Sequence, residues 1–343
     1  MVVLRNYAVA VFFCVITMLC WGSWANTMKA AGAVETGWRF ELFYWDYVFG
    51  IVLMGLIFAF TMGSAGRAGR NYLADLKQAD KRNLVSCLIG GVVFNAANIL
   101  LGAAIDIAGM SVAFPIGIGL ALVVGVVVNY LAAPKGNPLQ LFVGVALITA
   151  AIVLCAFAYR TLPDQPDGGM KGIILSVVAG LAMGYFYRFV AKAMAPDFER
   201  MEAGKLSPYT AMVFFSLGIL ASNFLFNTAI MFQPFKGNPV AFADYFAGGG
   251  QVHLLGIAGG MIWAVGMTFS IIAFGRAGPA ISYGLGQGAT LVAALWGVFF
   301  WKEFIEAPAS TTPLLVLMFA GYVIGLALII VAGRSAQASA NKT

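Results

Sequence analysis

The sequence predicts an all-α integral membrane protein with ten transmembrane helices arranged as two inverted five-helix repeats. Three observations carry that expectation. Of the 343 residues, 61% are hydrophobic and 10% charged, with a mean hydropathy of +0.90. A water-soluble domain carries roughly 25% charged residues, so lipid must solvate most of this surface. Ten windows are apolar over the roughly 20 residues that a span requires. Finally, Gly90 to Tyr130 is repeated near the other end of the chain. A shift of 169 residues lays Gly90-Gly91 on Gly259-Gly260, Ala108-Gly109 on Ala277-Gly278, Gly117 on Gly286 and Gly119 on Gly288, without a gap.

The first window, roughly 6–28, begins like a signal peptide after Arg5. It runs on through Trp21-Gly22-Ser23-Trp24 with no small-residue cleavage pattern, and it is long enough to span. The second, roughly 40–62, opens TGWRFELFYWDYVFG; the basic loop 67–82 behind it predicts a short interfacial helix. The third and fourth, roughly 83–105 and 108–131, meet at the hinge IDIAG, and the fifth covers roughly 138–158. The polar stretch RTLPDQPDGGMK then divides the chain into a first repeat 1–159, a linker 160–171 and a second repeat 172–343. The remaining windows are roughly 171–191, 208–231, 252–275, 278–301 and 313–333. Asn137-Pro138, Ser207-Pro208 and Thr312-Pro313 each set a capping side chain before a proline. Five spans per half is odd, so the second half enters from the opposite side. Thirteen Lys and Arg residues fall on the side of the N-terminus against six on the other, which puts both termini in the cytoplasm.

Composition also excludes. The net charge of +6 sits in loops, as membrane orientation demands, and nucleic acid is not an expected partner. Cys14, Cys20, Cys87 and Cys155 lie in apolar runs without metal or disulfide spacing, and His253 is the sole histidine. No metal, cofactor or enzymatic activity is expected. The glycine runs are not nucleotide loops, since GxxxxGK[ST] is missing from the sequence.

Inverted repeats place a solute site near the midplane, beside broken helices. Phe114, Pro115, Gly117 and Gly119 on the fourth span face their counterparts Tyr283, Gly284, Gly286 and Gly288 on the ninth. Proline breaks the hydrogen-bond ladder, and the glycines either bend the helix or admit a close neighbour. Gln287 at mid-span needs a partner helix or a cavity. Asn95 and Asn98 share a helix face at i, i+3 and either bind a polar solute or tie helices together. Asn223 and Asn227 lie nearer the outer end, where solvent can satisfy them. Trp21, Trp24 and Trp263 are candidate cavity walls, the first two doubling as an interfacial belt. Asp46 lies about 9 Å into the second span. It is either a proton-coupling carboxylate or a structural one, with Glu41, beside Arg39, the alternative.

These residues resemble the drug/metabolite transporter superfamily, whose members have ten helices in inverted five-helix repeats. The closer similarity is to the branch of plant ureide permeases, bacterial glucose/ribose uptake proteins and rhamnose–proton symporters. It is carried by Trp21-Gly22-Ser23-Trp24, Tyr44-Trp45-Asp46-Tyr47, Gly90-Gly91-Val92-Val93 with Asn98, Asn129-Tyr130-Leu131 and Phe300-Trp301-Lys302-Glu303. The long central loop of the plant permeases is missing, which resembles a compact bacterial uptake protein of the inner membrane. The expectation is a proton-coupled importer of a small neutral polar solute, sugar first and ureide or nucleobase second, acting as monomer or homodimer in the bilayer. A drug/metabolite exporter and a non-transport sensor or assembly protein are the rival expectations.

Overall fold

The structure, a computed structural model, describes residues 1–163 and 169–340. The centre of the expected linker, 164–168, and the side chains of Asp106, Met110, Ser111, Phe114 and 335–340 lie outside the described residues. Among the described residues, ten helices are long and apolar enough to cross a membrane: α1 (Tyr7–Val34), α2 (Phe40–Phe60), α3 (Lys81–Ile105), α4 (Pro115–Ala132), α5 (Pro138–Tyr159), α6 (Met170–Ala193), α7 (Pro208–Phe232), α8 (Gly250–Ala277), α9 (Pro279–Phe300) and α10 (Thr311–Arg334). Ten crossings put both chain ends on one face, called here the terminal face; the opposite one is the far face. Short helices Tyr72–Gln78 and Phe242–Ala247 lie on the terminal and far faces respectively.

The boundaries follow from local chemistry. Asn6, Asp80, Asn137 and Ser207 each accept a backbone N–H of the first turn they precede. The Thr312-Pro313 expectation shifts slightly. That helix begins at Thr311, so Pro313 sits inside its first turn, where an N–H is not needed. The third helix continues past its spanning part to Ala108, and Gly109 and Gly278 end the third and eighth helices with φ of 73° and 83°. That left-handed conformation suits glycine and reverses the chain in a single residue.

Packing repeats between the halves, as a duplicated fold would have it. Gly91 lies so close to α7 that an added Cβ would strike the Phe215 carbonyl, and Gly218 stands likewise against the Leu88 carbonyl of α3. Gly260 and Gly50 make the same reciprocal approach to the carbonyls of Tyr47 and Ile257, joining α8 to α2. Gly22 of α1 packs on Ala289 and Val292 of α9, as Gly184 of α6 packs on Ala121 and Val124 of α4. In lipid, where apolar surface gains little by leaving its solvent, such small-residue contacts hold helices together. The pairs α3–α6, α3–α7 and α4–α6 become α8–α1, α8–α2 and α9–α1 when each helix is exchanged for the one five later. The pairs α2–α7, α4–α9 and α5–α10 map onto themselves.

One expectation is corrected. Beyond the hinge the equivalence is not gapless, because Ala121 and Val124 correspond to Ala289 and Val292 at an offset of 168. Phe114–Ile118 forms a π turn at the start of α4. A π turn accommodates one residue more than an α turn, and that extra residue in the first copy displaces the register by one.

Candidate functional site

A cavity of about 270 Å3 lies between the two halves. Its walls come from α1 (Trp21, Gly22, Trp24, Ala25, Met28), α2 (Phe40), α3 (Phe94, Asn98, Leu101, Gly102, Ile105), α4 (Ile118), α6 (Met183, Phe186), α8 (Trp263) and α9 (Gln287, Ala289, Ala293). No Asp, Glu, Lys or Arg is among these lining residues. The Trp21 and Trp263 rings stack with centroids 5.8 Å apart, and the Trp21 indole N–H donates to the Trp263 carbonyl at 3.3 Å. Phe94 adds an aromatic contact at 4.5 Å from Trp263. Trp24 stands at the break in α1, between Ser23 and Ala25, with its ring 4.7 Å from Tyr47.

Toward the terminal face the cavity is closed by hydrogen-bonded tyrosines. The Tyr187 hydroxyl meets Ser270 and Ser282, and the Tyr283 hydroxyl donates to the carbonyls of Ala121 and Met183 at 3.2 and 3.1 Å. Thr17 donates to the Gly266 carbonyl at 2.8 Å.

Of the residues expected around the cavity, Trp21, Trp24, Asn98, Trp263 and Gln287 line it. Tyr283 does not. Gly125 lets its ring lie flat against α4, so it belongs to the closure below. Asn95 also stands behind the wall. It is fully buried, accepts from the Tyr44 hydroxyl at 2.9 Å and donates to Ser222 Oγ at 2.9 Å. Both amides meet the Tyr44 hydroxyl, but only Asn98 is part of the cavity lining. Phe114, also expected here, has its side chain outside the described residues.

The proposed break points divide in role. Pro115 and Gly117 lie in the π turn and Gly119 follows it. On the other side α9 is interrupted at Gln287-Gly288, between helical segments Pro279–Gly286 and Ala289–Leu295. Gly286 makes room for the Trp21 ring, Gly288 for Met18 and Gly284 for Val126. The interruption turns the Gln287 amide to the cavity.

Asp46 is elsewhere. It is 2% exposed, near the far face, and holds two partners: the Tyr245 hydroxyl donates to Oδ1 at 2.7 Å and His253 Nδ1 stands 2.8 Å from Oδ2. Tyr245 belongs to the short helix Phe242–Ala247. Burial, and then the Asp46 carboxylate, push its hydroxyl well above the usual phenol range, so it remains a donor. Gly256 gives Asp46 its room on α8. Glu41 pairs with Arg39, which also binds the carbonyls of Asn238 and Lys236. Asn223 and Asn227 are both fully buried rather than solvated. Asn227 donates to the Glu41 carbonyl.

His253, Tyr245, Phe94, Met183 and Phe186 escaped sequence reasoning. His253 is 207 residues from Asp46, and no local pattern connects them. Its being the sole histidine, a few residues inside a span, was the available signal. Phe94 and Phe186 differ in no visible way from other phenylalanines in apolar helices.

A multi-pass helical membrane protein whose two halves enclose an uncharged, aromatic cavity belongs architecturally with the membrane permeases. The family model for ureide permease matches residues 43–167 and again 158–332, so that both halves are covered, and the chain belongs to the ureide permease family. Ureide permease 1 of Arabidopsis thaliana is 21% identical over 83% of this chain and 87% of its own length. Ureide permease 4 of the same plant is 20% identical over 96% and 98%. A probable ureide permease A3 of Vigna unguiculata is 32% identical over 36% of this chain and 34% of its own. A solved crystal structure with 14% identity aligns over 96% of this chain and 99% of its own with a TM-score of 0.62, a likeness of fold.

Proposed function

We propose that this protein is a secondary active transporter that takes up a small, neutral, amide-rich solute of the ureide or nucleobase class by proton-coupled alternating access. One observation carries the reading: two primary amides, Asn98 from the first half and Gln287 from the second, line a cavity otherwise walled by aromatic and aliphatic groups. Drug-sized ligands occupy pockets of roughly 300–1,000 Å3, so about 270 Å3 suits a single small ring. An anion would be unpaired there, whereas a planar solute with N–H and C=O groups can meet the amides with its edge and the indoles with its face. The family relationship moves ureides ahead of the sugars that the sequence put first. Asp46 is the proposed proton-coupling group, the protein residing in a plasma membrane with its terminal face to the cytoplasm.

The test is uptake into proteoliposomes under an imposed pH gradient, with radiolabelled hydantoin, uracil and glucose offered in parallel. Accumulation of the first two, collapsed by a protonophore, is expected. Accumulation of glucose alone would restore the sugar reading. Movement of a lipophilic cation with none of the three taken up would favour an exporter, and transport of nothing a sensor or assembly protein.

A further inference from the structure

A one-way chain of hydrogen bonds runs from the backbone of α7 to the cavity. Its polarity is fixed at the far end. The Ser222 hydroxyl lies 2.8 Å from the Gly218 carbonyl and 3.0 Å from the Ile219 carbonyl. Carbonyls only accept, so Ser222 donates there, and its Oγ must accept at 2.9 Å from Asn95 Nδ2. Asn95 Nδ2 also points to the Ile219 carbonyl at 3.4 Å. Asn95 Oδ1 is thereby turned to Tyr44, whose single hydroxyl proton it takes at 2.9 Å. Tyr44 has then only lone pairs left, and it accepts from Asn98 Nδ2 at 3.1 Å. Asn98 cannot flip without placing two acceptors against each other. Its Oδ1 has no partner among the described residues, and Asn98 is part of the cavity lining.

We infer that Tyr44, which does not line the cavity, is a positioning residue that fixes Asn98 as an obligate hydrogen-bond acceptor, so that the transporter selects solutes presenting an N–H to that wall. Gln287, opposite, makes no such fixed bond and supplies the adaptable amide. This inference rests on the substrate class proposed above and adds a demand that the class alone does not make: a cyclic ureide with every nitrogen methylated should be rejected, although it keeps the ring, the carbonyls and the neutrality.

The experiment measures uptake of hydantoin and of 1,3-dimethylhydantoin by purified, reconstituted protein. The wild type should transport hydantoin with a KM about tenfold below that of the dimethyl form, the worth of one oriented hydrogen bond. Tyr44→Phe should raise the hydantoin KM by about that factor, with little change in kcat, and bring the two solutes together. In an Asn98→Ala background, Tyr44→Phe should change nothing further, because it acts through Asn98. Equal KM values for the two solutes in the wild type would overturn the inference while leaving the substrate class standing, and this arm needs no variant to fold. Loss of discrimination by Tyr44→Phe that is undiminished in the Asn98→Ala background would also overturn it, by showing that Tyr44 acts elsewhere. Uptake of neither solute by the wild type would remove the substrate class and the inference together.

Discussion

If Asp46 is the proton-coupling group proposed above, Asp46→Asn should separate coupling from transport. The substitution conserves volume in a site where the residue is 2% exposed and faces Gly256. An asparagine oxygen can still accept from Tyr245, and its amide can donate to His253 Nδ1 once the imidazole carries its proton on Nε2, so the connection between α2, α8 and the short far-face helix survives. Two charge-assisted bonds become neutral ones, at a cost of about 1 kcal/mol each, too little to unfold the protein. The energetic consequence for coupling is larger. Each unit of pH gradient is worth about 1.36 kcal/mol per proton. One proton per solute therefore supports roughly tenfold accumulation per unit at equilibrium. Under a gradient of about 1.5 units, wild-type vesicles should concentrate hydantoin roughly thirtyfold, and Asp46→Asn vesicles should only equilibrate it. Counterflow between preloaded and external solute, which needs no proton, should persist in the variant at a rate comparable with the wild type. The assay is a paired measurement of the two modes on the same preparation. Uphill accumulation by Asp46→Asn at the wild-type ratio would refute the coupling assignment. Loss of both modes would reassign Asp46 to a structural role, tying α2 to α8 and to the short far-face helix through His253 and Tyr245.

Three further outcomes are expected. Trp21→Ala removes one half of the indole pair and should raise the solute KM by about three- to tenfold through loss of aromatic contact, measured by initial uptake rates. Gly91→Ala and Gly260→Ala should each destabilise by about 1–3 kcal/mol because their new Cβ meets a backbone carbonyl that cannot retreat. Gly32→Ala, which meets nothing within 4 Å, should be neutral or mildly stabilising; thermal unfolding in detergent ranks the three. Arg70→Ala should cost about 1–3 kcal/mol by the same measurement, since Asp75 keeps the Ser207 N–H and the Gln78 amide. Its guanidinium pairs at 3.0 Å with Asp75, whose side chain is fully buried, and ties in the carbonyls of Glu202 and Lys205.

The fold was legible in the sequence because membrane insertion writes itself into long apolar runs, and because close helix crossings require glycine. Gly90-Gly91 and Gly259-Gly260 gave away the duplication, and the structure gives the reason: the second glycine of each pair touches a carbonyl across the crossing. The register error beyond the hinge arose where residue type says least. A π turn at Phe114–Ile118 is a choice of hydrogen-bond partner, and the residues either side of it are as apolar as any others. The site was only half legible for a related reason. Depth can be counted along a helix, so Trp21, Asn98, Trp263 and Gln287 could be placed at the right level. Azimuth depends on partners brought from far along the chain, so Asn95 and Tyr283 were placed at the right level and the wrong face.

That distinction bears on how such a protein works. Duplication supplies two halves with nearly the same crossings, and hence two packings of comparable energy on opposite faces. The copies also differ at the cavity wall. The α3 copy carries Asn95 and Asn98, while α8, at the offset of 169 that holds before the hinge, carries Ala264 and Met267. The α9 copy has Gln287 at its interruption, and α4 has a π turn at the corresponding place. If the proposed alternating access holds, a repeated scaffold with an asymmetric lining would let the protein rock between faces while the solute keeps a single orientation, amide edge toward Asn98 and ring face toward the indoles.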